Sequence, residues 1–544
     1  MLSSRWLGIL ALGCWLAAPA LTGGQEAARG PRYLAPTLTA DAPVTGPIRV
    51  TGGIITGSVL PDGVRTFRGI PFAAPPVGPL RWTAPQPPRP WQGVRRATRF
   101  GPQCMQPPIF PDMVFRSDGM SEDCLYLNVW TPARNPGQRL PVLVYIYGGG
   151  FVGGDGSELR YDGESLARRG IVVVTTNYRL GMFGFLAHPE LTRESPHRAS
   201  GNYGLLDQAA ALSWVRENIA AFGGDPYRVT VGGESAGSIS ACALMASPLS
   251  RGLIAGAIGE SGGMISPTFA PVPLAEAEQR GEEFARSVRA RSLEALRALP
   301  AKSLLKASGR AQFPAVVDGW FLPQAPAEIF AAGQQAKVPL LVGWNLQEAG
   351  WRALLGNREP TPQNYAAVLD SLYGADAGEA LRLFPGTTPP QVMESGTLLA
   401  GGRFIAYSTW KWAELQGRAG KRPVYRYLFV HPRPATIAPA ASPPPAGAVH
   451  SAEIEYALGN LATNRVYAWT AADDSLSALM EGYFANFVKT GNPNGRGLPH
   501  WPAAYSDDSA RVMILGVRPR AESGRHEDAF RFLDRSYRSS TSAP

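Results

Sequence analysis

Residues 230–240 read TVGGESAGSIS, which places a serine between glycines and alanines directly after a β-branched run. Ser235 has little to pack against there, an arrangement that suits chemistry better than core structure. Gly233, Glu234, Ser235, Ala236 and Gly237 form G-x-S-x-G, the strand-to-helix turn that holds a nucleophilic serine above a sheet. The glycines let backbones pass closely while the serine is kept in a strained conformation. A serine that attacks an acyl carbon also needs donors for the oxyanion that develops. The run GGGFVGGDG at 148–156 follows an apolar stretch ending at Tyr147, and its flexible backbone can present the N–H groups of Gly149 and Gly150 beside that of Ala236. As a phosphate cradle the same run fails, because it has no G-K-[ST] ending and no G-x-G-x-x-G frame with an acidic partner.

The elements that must position these groups are legible nearby. LPVLVYIY at 140–147, IVVVTTNY at 171–178 and RVTVG at 228–232 are short, β-branched apolar runs of the kind buried on both faces of a parallel sheet. Between the last two, residues 204–224 carry Leu206, Ala210, Trp214 or Val215, and Ile219 at helical spacing, closed by Gly223-Gly224 and Asp225-Pro226. Strand, helix and strand in succession predict an α/β fold with a mostly parallel central sheet flanked by helices. The chain has 544 residues, 45% of them hydrophobic and 17% charged, enough for one large core. Its net charge of +9 is spread without any block of five or more like charges, which argues for a basic surface and against a nucleic-acid partner.

Residues 1–20 have the layout of a secretory signal: Arg5, an apolar run from Trp6 to Ala17, then Ala18-Pro19-Ala20 as a cleavage site. The run is too short to span a membrane comfortably, and Leu12 argues against lipid attachment at Cys14. Cleavage near Ala20 and a secreted or periplasmic location are expected. Residues 21–48 read as an unstructured leader, 49–535 as the catalytic domain, 431–447 as a Pro/Ala-rich loop and 536–544 as a flexible tail. In an oxidising compartment Cys104 and Cys124 are the expected disulfide, closing a loop worth about 3 kcal/mol in the chain-entropy model. Cys242 lies in an apolar stretch and reads as a buried free thiol.

Two segments make the resemblance specific. FGGDPYRVTVGGESAG at 222–237 and EDCLYLNVWTP at 122–132 resemble the signature segments of the type-B carboxylesterase family, the α/β-hydrolases that include cholinesterases and bacterial para-nitrobenzyl esterases. FRGIPFAAPPVGPLRW, YGGGF, NYRLGMFGFL, GNYGLLDQ and FVKTGNPN extend the likeness from about residue 50 to beyond 490. The resemblance implies a single large domain with an eight-stranded type of sheet, a bridge matching Cys104–Cys124, and hydrolysis with neither metal nor organic cofactor. It also implies the rest of a triad. His450, in GAVHSAEIEYALGN, matches the catalytic-histidine segment, and Glu348, in LLVGWNLQEAGW, matches the acid, with Ala349 standing where a glycine usually follows. Ser261 matches a serine that hydrogen-bonds the acid, and Glu234 is expected to shape the field beside the nucleophile. Asp318 is the fallback acid, while His431, His500 and His526 read as surface or structural residues.

The substrate is less determined. The tryptophan with which cholinesterases hold a quaternary ammonium is replaced by Val114, which disfavours choline esters. Phe151, Phe269, Trp344 and Trp351 are candidate pocket residues, pointing to a small-molecule ester with a bulky or aromatic group. A serine carboxylesterase is thus expected. An amide or carbamate hydrolase on the same triad and a non-catalytic binding module of the same fold are the alternatives, and nothing bears on oligomeric state.

Overall fold

The computed structural model describes residues 43–541 apart from 111, 310, 420, 439–444 and 506–509. The expected signal at 1–20 and most of the leader lie outside the described residues. The end of that leader is not unstructured: Val44 bridges to Ser58, and Ile48–Val50 pairs with Gly53–Thr56 as an antiparallel strand.

An eleven-stranded sheet forms the centre. In chain order its strands are β1 (Ser58–Val59), β2 (Arg65–Pro71), β3 (Tyr126–Thr131), β4 (Leu140–Ile146), β5 (Val172–Thr176) and β6 (Gly224–Glu234). They continue as β7 (Gly256–Glu260), β8 (Leu340–Asn345), β9 (Val424–Phe429), β10 (Arg511–Leu515) and β11 (Arg520–Ser523). The spatial order is β11-β10-β9-β8-β7-β6-β4-β5-β3-β2-β1. From β5 through β10 neighbouring strands are parallel; both margins are antiparallel. The sheet is wider than the eight-stranded form the resemblance implied, because short strands such as β1 and β11 pair onto its margins and cover its edges.

Parallel strands need both faces covered, and the residues comply: every position of β5, β7, β8 and β9 is buried. The helices against the sheet include α1 (Tyr203–Asn218), α2 (Ala236–Ala246), α3 (Tyr407–Ala419) and α4 (Ala471–Thr490). The helical turn that follows α1 stops at Gly223, whose φ of 83° forms a left-handed cap. Thr470 and Asp473 build a capping box at the start of α4, and Gly491 ends it with φ 74°. A second apolar cluster gathers Trp344, Trp410, Phe530 and Leu533. It is closed by α5 (Glu527–Thr541), so the expected tail from 536 is helical as far as Thr541, the last described residue.

Cys104 and Cys124 form the disulfide, and Cys242 is a buried free thiol on α2. Because the central strands run in parallel, the loops after β6, β8 and β9 leave the sheet at one edge. A parallel bridge between Gln347 and Val449, with Gln347 N–H donating to Ala448 O at 2.8 Å, ties the loop after β8 to the loop after β9. That tie brings residues about a hundred positions apart to one place.

Candidate active site

Ser235 sits between β6 and α2 with φ 54° and ψ −119°, a conformation L-residues rarely adopt. The turn is closed by Ser235 N–H donating to Glu260 O at 2.8 Å and by Ile239 N–H donating to Ser235 O at 2.9 Å. The two flanking glycines are required by space. A Cβ on Gly233 would lie 2.3 Å from Ile146 O, and one on Gly237 would lie 1.9 Å from the same oxygen. The end of β4 therefore passes through room that only glycine leaves.

Beyond β4 the glycine loop turns back over Ser235. Gly149 and Gly150 have φ of 107° and 60°. A Cβ on Gly149 would meet Gly153 O at 2.2 Å, whereas one on Gly150 would meet nothing closer than 3.7 Å. Among the described residues, the N–H groups of Gly149, Gly150 and Ala236 donate to no protein acceptor. Gly148 has a separate constraint that sequence reading missed: its Cβ would lie 2.6 Å from Glu234 Oε2 and 3.1 Å from Ser235 Cβ.

His450 Nδ1–H donates to Glu348 Oε2 at 2.6 Å, and its Nε2 lies 3.3 Å from Glu234 Oε1. The imidazole thus stands between the carboxylate from the β8 loop and the carboxylate that precedes Ser235. Glu348 Oε1 accepts from Ser261 Oγ and from Asn345 N–H, both at 2.6 Å, which fixes the carboxylate plane. Ala349 is half-buried and adopts no positive φ, so the alanine is accommodated without strain. Asp318 is occupied elsewhere, accepting the N–H groups of Trp320 and Leu322 in its own turn. His431 Nε2 lies 2.9 Å from Asp473, an acid that also caps α4.

Behind the triad candidates lie carboxylates that sequence reading did not assign. Glu453 accepts from Asn345 Nδ2 at 2.6 Å and from Ser261 Oγ at 3.3 Å, and Tyr145 OH donates to Glu260 at 3.1 Å. Burial pushes Glu453 up to about 7, with Glu348 adding to the shift. Burial likewise raises Glu234 to about 8, and Glu260 rises under burial and the charges of Glu453 and Glu234. Burial works against an imidazolium at His450, yet Glu234 and then Glu348 outweigh it and lift the histidine to about 9. Glu234 and Glu348 favour the charged imidazole and offset its desolvation, although the His450 side chain keeps 27% of its surface exposed. The only sequence signal for Glu453 is its place three residues after His450 in HSAE.

Aromatic rings lie beside the glycine loop and His450. Phe151 and Phe269 meet edge-on at 5.9 Å, and Phe269 Cζ lies where a Gly150 Cβ would be 4.0 Å away. On the other side Phe404 packs edge-on against His450 at 5.2 Å. It is carried by a π-helical turn, Gly402–Ala406, which runs directly into α3. Thr268 Oγ donates to Phe404 O, linking the two walls. Trp344 is not part of them: it is buried in the second apolar cluster against Phe530. Trp351 packs against that same cluster.

The comparisons with known proteins agree with this architecture. A family model described as "Carboxylesterase family" matches residues 45–377 and 390–533. The chain is 37% identical to fumonisin B1 esterase of Sphingopyxis macrogoltabida, over 90% of this chain and 91% of that one. It is 36% identical to the cocaine esterase of Homo sapiens, covering 87% and 88%, and 36% identical to the para-nitrobenzyl esterase of Bacillus subtilis (strain 168), covering 84% and 91%. A solved structure of PNB esterase superposes with a TM-score of 0.75 at 34% identity, covering 89% of this chain and 98% of that one.

Proposed function

The chain belongs to the carboxylesterase family and is a carboxylic ester hydrolase with the α/β-hydrolase fold, and from that premise we propose that Ser235, His450 and Glu348 carry the reaction. The observation that carries the proposal is the chain of contacts from Glu348 through His450 to Glu234, the residue adjoining Ser235. In this reading Ser235 Oγ attacks the ester carbonyl carbon while His450 accepts the hydroxyl proton. The carbonyl oxygen, now negative, takes the N–H groups of Gly149, Gly150 and Ala236. The tetrahedral intermediate collapses, the C–O bond to the alcohol breaks, and His450 returns the proton to the departing oxygen. Water then repeats the sequence on the acyl-serine and releases the acid. Glu348 orients the imidazole and stabilises its charged form without taking the proton.

The aromatic walls favour esters with a bulky or aromatic group. Phe269 is 40% exposed beside the glycine loop, apolar surface that a substrate would cover. The disulfide is compatible with an exported protein, as the N-terminal signal-like segment proposes. No helix among the described residues is long and apolar enough to cross a membrane.

A fluorophosphonate probe with peptide mapping tests the assignment. One label per chain on Ser235 is expected, together with a loss of kcat of roughly four orders of magnitude in Ser235→Ala and in His450→Ala, each still folded. Near-parental turnover in either variant, or labelling of another residue, overturns the triad. Equal kcat/KM for acetyl and benzoyl esters would overturn the substrate reading alone.

A further inference from the structure

At the edge of the sheet opposite Ser235 there is a second concavity. The sheet register puts Thr230 opposite Gly256, and Leu340 opposite both Ala257 and Val424, so the starts of the parallel strands β7, β8 and β9 lie side by side with the middle of β6. Ser235 follows the far end of β6, roughly 15 Å of strand away from Thr230. Between those strand starts and the C-terminal end of α4 lies a cavity of about 420 Å³. Arg228, Lys337, Arg422 and Lys489 all line it, and no carboxylate does. Each comes from a different stretch of chain: β6, the approach to β8, the approach to β9, and α4. Cations that form no block in the sequence are gathered by the fold around one space.

Helix geometry accounts for two of the four: Lys489 stands in the last turn of α4, where a cation complements the helix dipole, and Arg228 caps the same end. Arg228 Nη2 donates to Lys489 O at 2.6 Å, capping a terminal carbonyl of α4. Lys337, Arg422 and the ammonium of Lys489 have no hydrogen bond or ion pair among the described residues. Lys489 is only partly exposed, and burial followed by the nearby charge of Arg169 holds it below the usual lysine range. Arg228, Lys337 and Arg422 are exposed and Lys489 is half-buried, so solvent screens much of their mutual repulsion, and an anion seated among them would relieve the rest.

We propose that this cavity is a binding site for a small oligovalent oxyanion, one bearing two or more phosphate or carboxylate groups. Linked anionic groups can engage cations contributed by four separate stretches of chain together. Phe487 and Pro339 add apolar lining beside the cations. The site is distinct from the ester-hydrolysing edge, and the proposal does not depend on the triad.

Isothermal titration of the purified full-length protein tests it, with tripolyphosphate and citrate as separate probes and sodium chloride matched for ionic strength as the control. A saturable one-to-one isotherm is expected for at least one probe, and which probe binds distinguishes phosphate from carboxylate chemistry. Lys337→Ser and Arg422→Ser should each weaken it about tenfold, as loss of one charge-assisted contact does. Ester turnover should be unchanged, which also shows that the variants fold. Absence of saturable binding by either probe at about 1 mM and low ionic strength overturns the proposal. An isotherm unaltered in the Lys337→Ser/Arg422→Ser double variant, or one with several equivalent sites, overturns it as well.

Discussion

Ser235 owes its reach to a backbone conformation that the residues around it impose, and the neighbouring side chain sets the acid–base behaviour of its partner. An imidazole must be unprotonated to take the serine proton, so kcat/KM rises as pH passes above the midpoint of His450. Glu234 and Glu348 hold the proton on that ring and displace the midpoint upward from the ordinary imidazole value of about 6.5. Glu234→Gln removes the larger of the two charges, and its rising limb is expected to move down by about one pH unit or more while Ser235 stays in place. An unchanged midpoint in the kcat/KM profile would show that Glu234 does not act on His450. At this scale the sequence was informative where chemistry demands a fixed spacing, as in G-x-S-x-G and the glycine run. Glu453 and Glu260 were not legible because a buried carboxylate looks like any other glutamate until the fold takes it out of water. The same holds for Phe404, whose place against His450 depends on a π-helical turn with no distinguishing residue.

At the scale of elements, the two glycines proposed to face the oxyanion are not equivalent. Gly149 combines φ 107° with a Cβ position 2.2 Å from Gly153 O, while a Cβ on Gly150, at φ 60°, would make only ordinary contacts with Val152 and Phe269 at 3.7 and 4.0 Å. Gly149→Ala should displace the loop and cost about 10² to 10³ in kcat, as loss of an oxyanion donor does. Gly150→Ala should cost much less, because alanine can enter the left-handed region at a penalty of about 1–2 kcal/mol. Steady-state kinetics of the pair check the order, and a larger loss in Gly150→Ala would reverse the assignment of strain. Strands β4, β5 and β6 and helix α1 were readable from continuous apolar runs and clear stops. The order of strands was not, because register and neighbour choice are fixed by packing between segments far apart in sequence. Trp344 illustrates the limit. It lies on a strand that leads to Glu348, yet the two-residue alternation of β8 turns its ring to the second apolar cluster.

For the whole molecule, the interior beneath the triad candidates holds Glu234, Glu260, Glu348 and Glu453, all buried. Glu234 and Glu453 titrate at about 8 and about 7, above the usual value near 4.3 that they regain on unfolding. Groups raised in the folded state bind more protons there than in the unfolded chain, so stability falls as pH rises from about 5 through those values. His450, lifted to about 9, acts in the same direction between about 6.5 and 9. The midpoint of thermal unfolding is therefore expected to decline between pH 5 and 9, and Glu453→Gln should flatten that decline. A curve of the same slope in the variant would remove Glu453 as a cause. The overall α/β plan and the disulfide could be read from the sequence, but the wide sheet margins and the grouping of scattered cations could not, because both depend on segments meeting in space. Cys242 adds a different kind of consequence. It lies on α2, in the first turns after the elbow, fully enclosed, with burial raising its thiol far above the ordinary range. A thiol reagent can reach it only when that helix comes away from the sheet, so its rate of modification is a clock for opening of the helix that supports Ser235. Slow labelling that tracks global unfolding would mean the elbow opens only with the whole molecule. Faster labelling would reveal a separate local excursion, and a buried thiol would time the motion of the turn that carries Ser235.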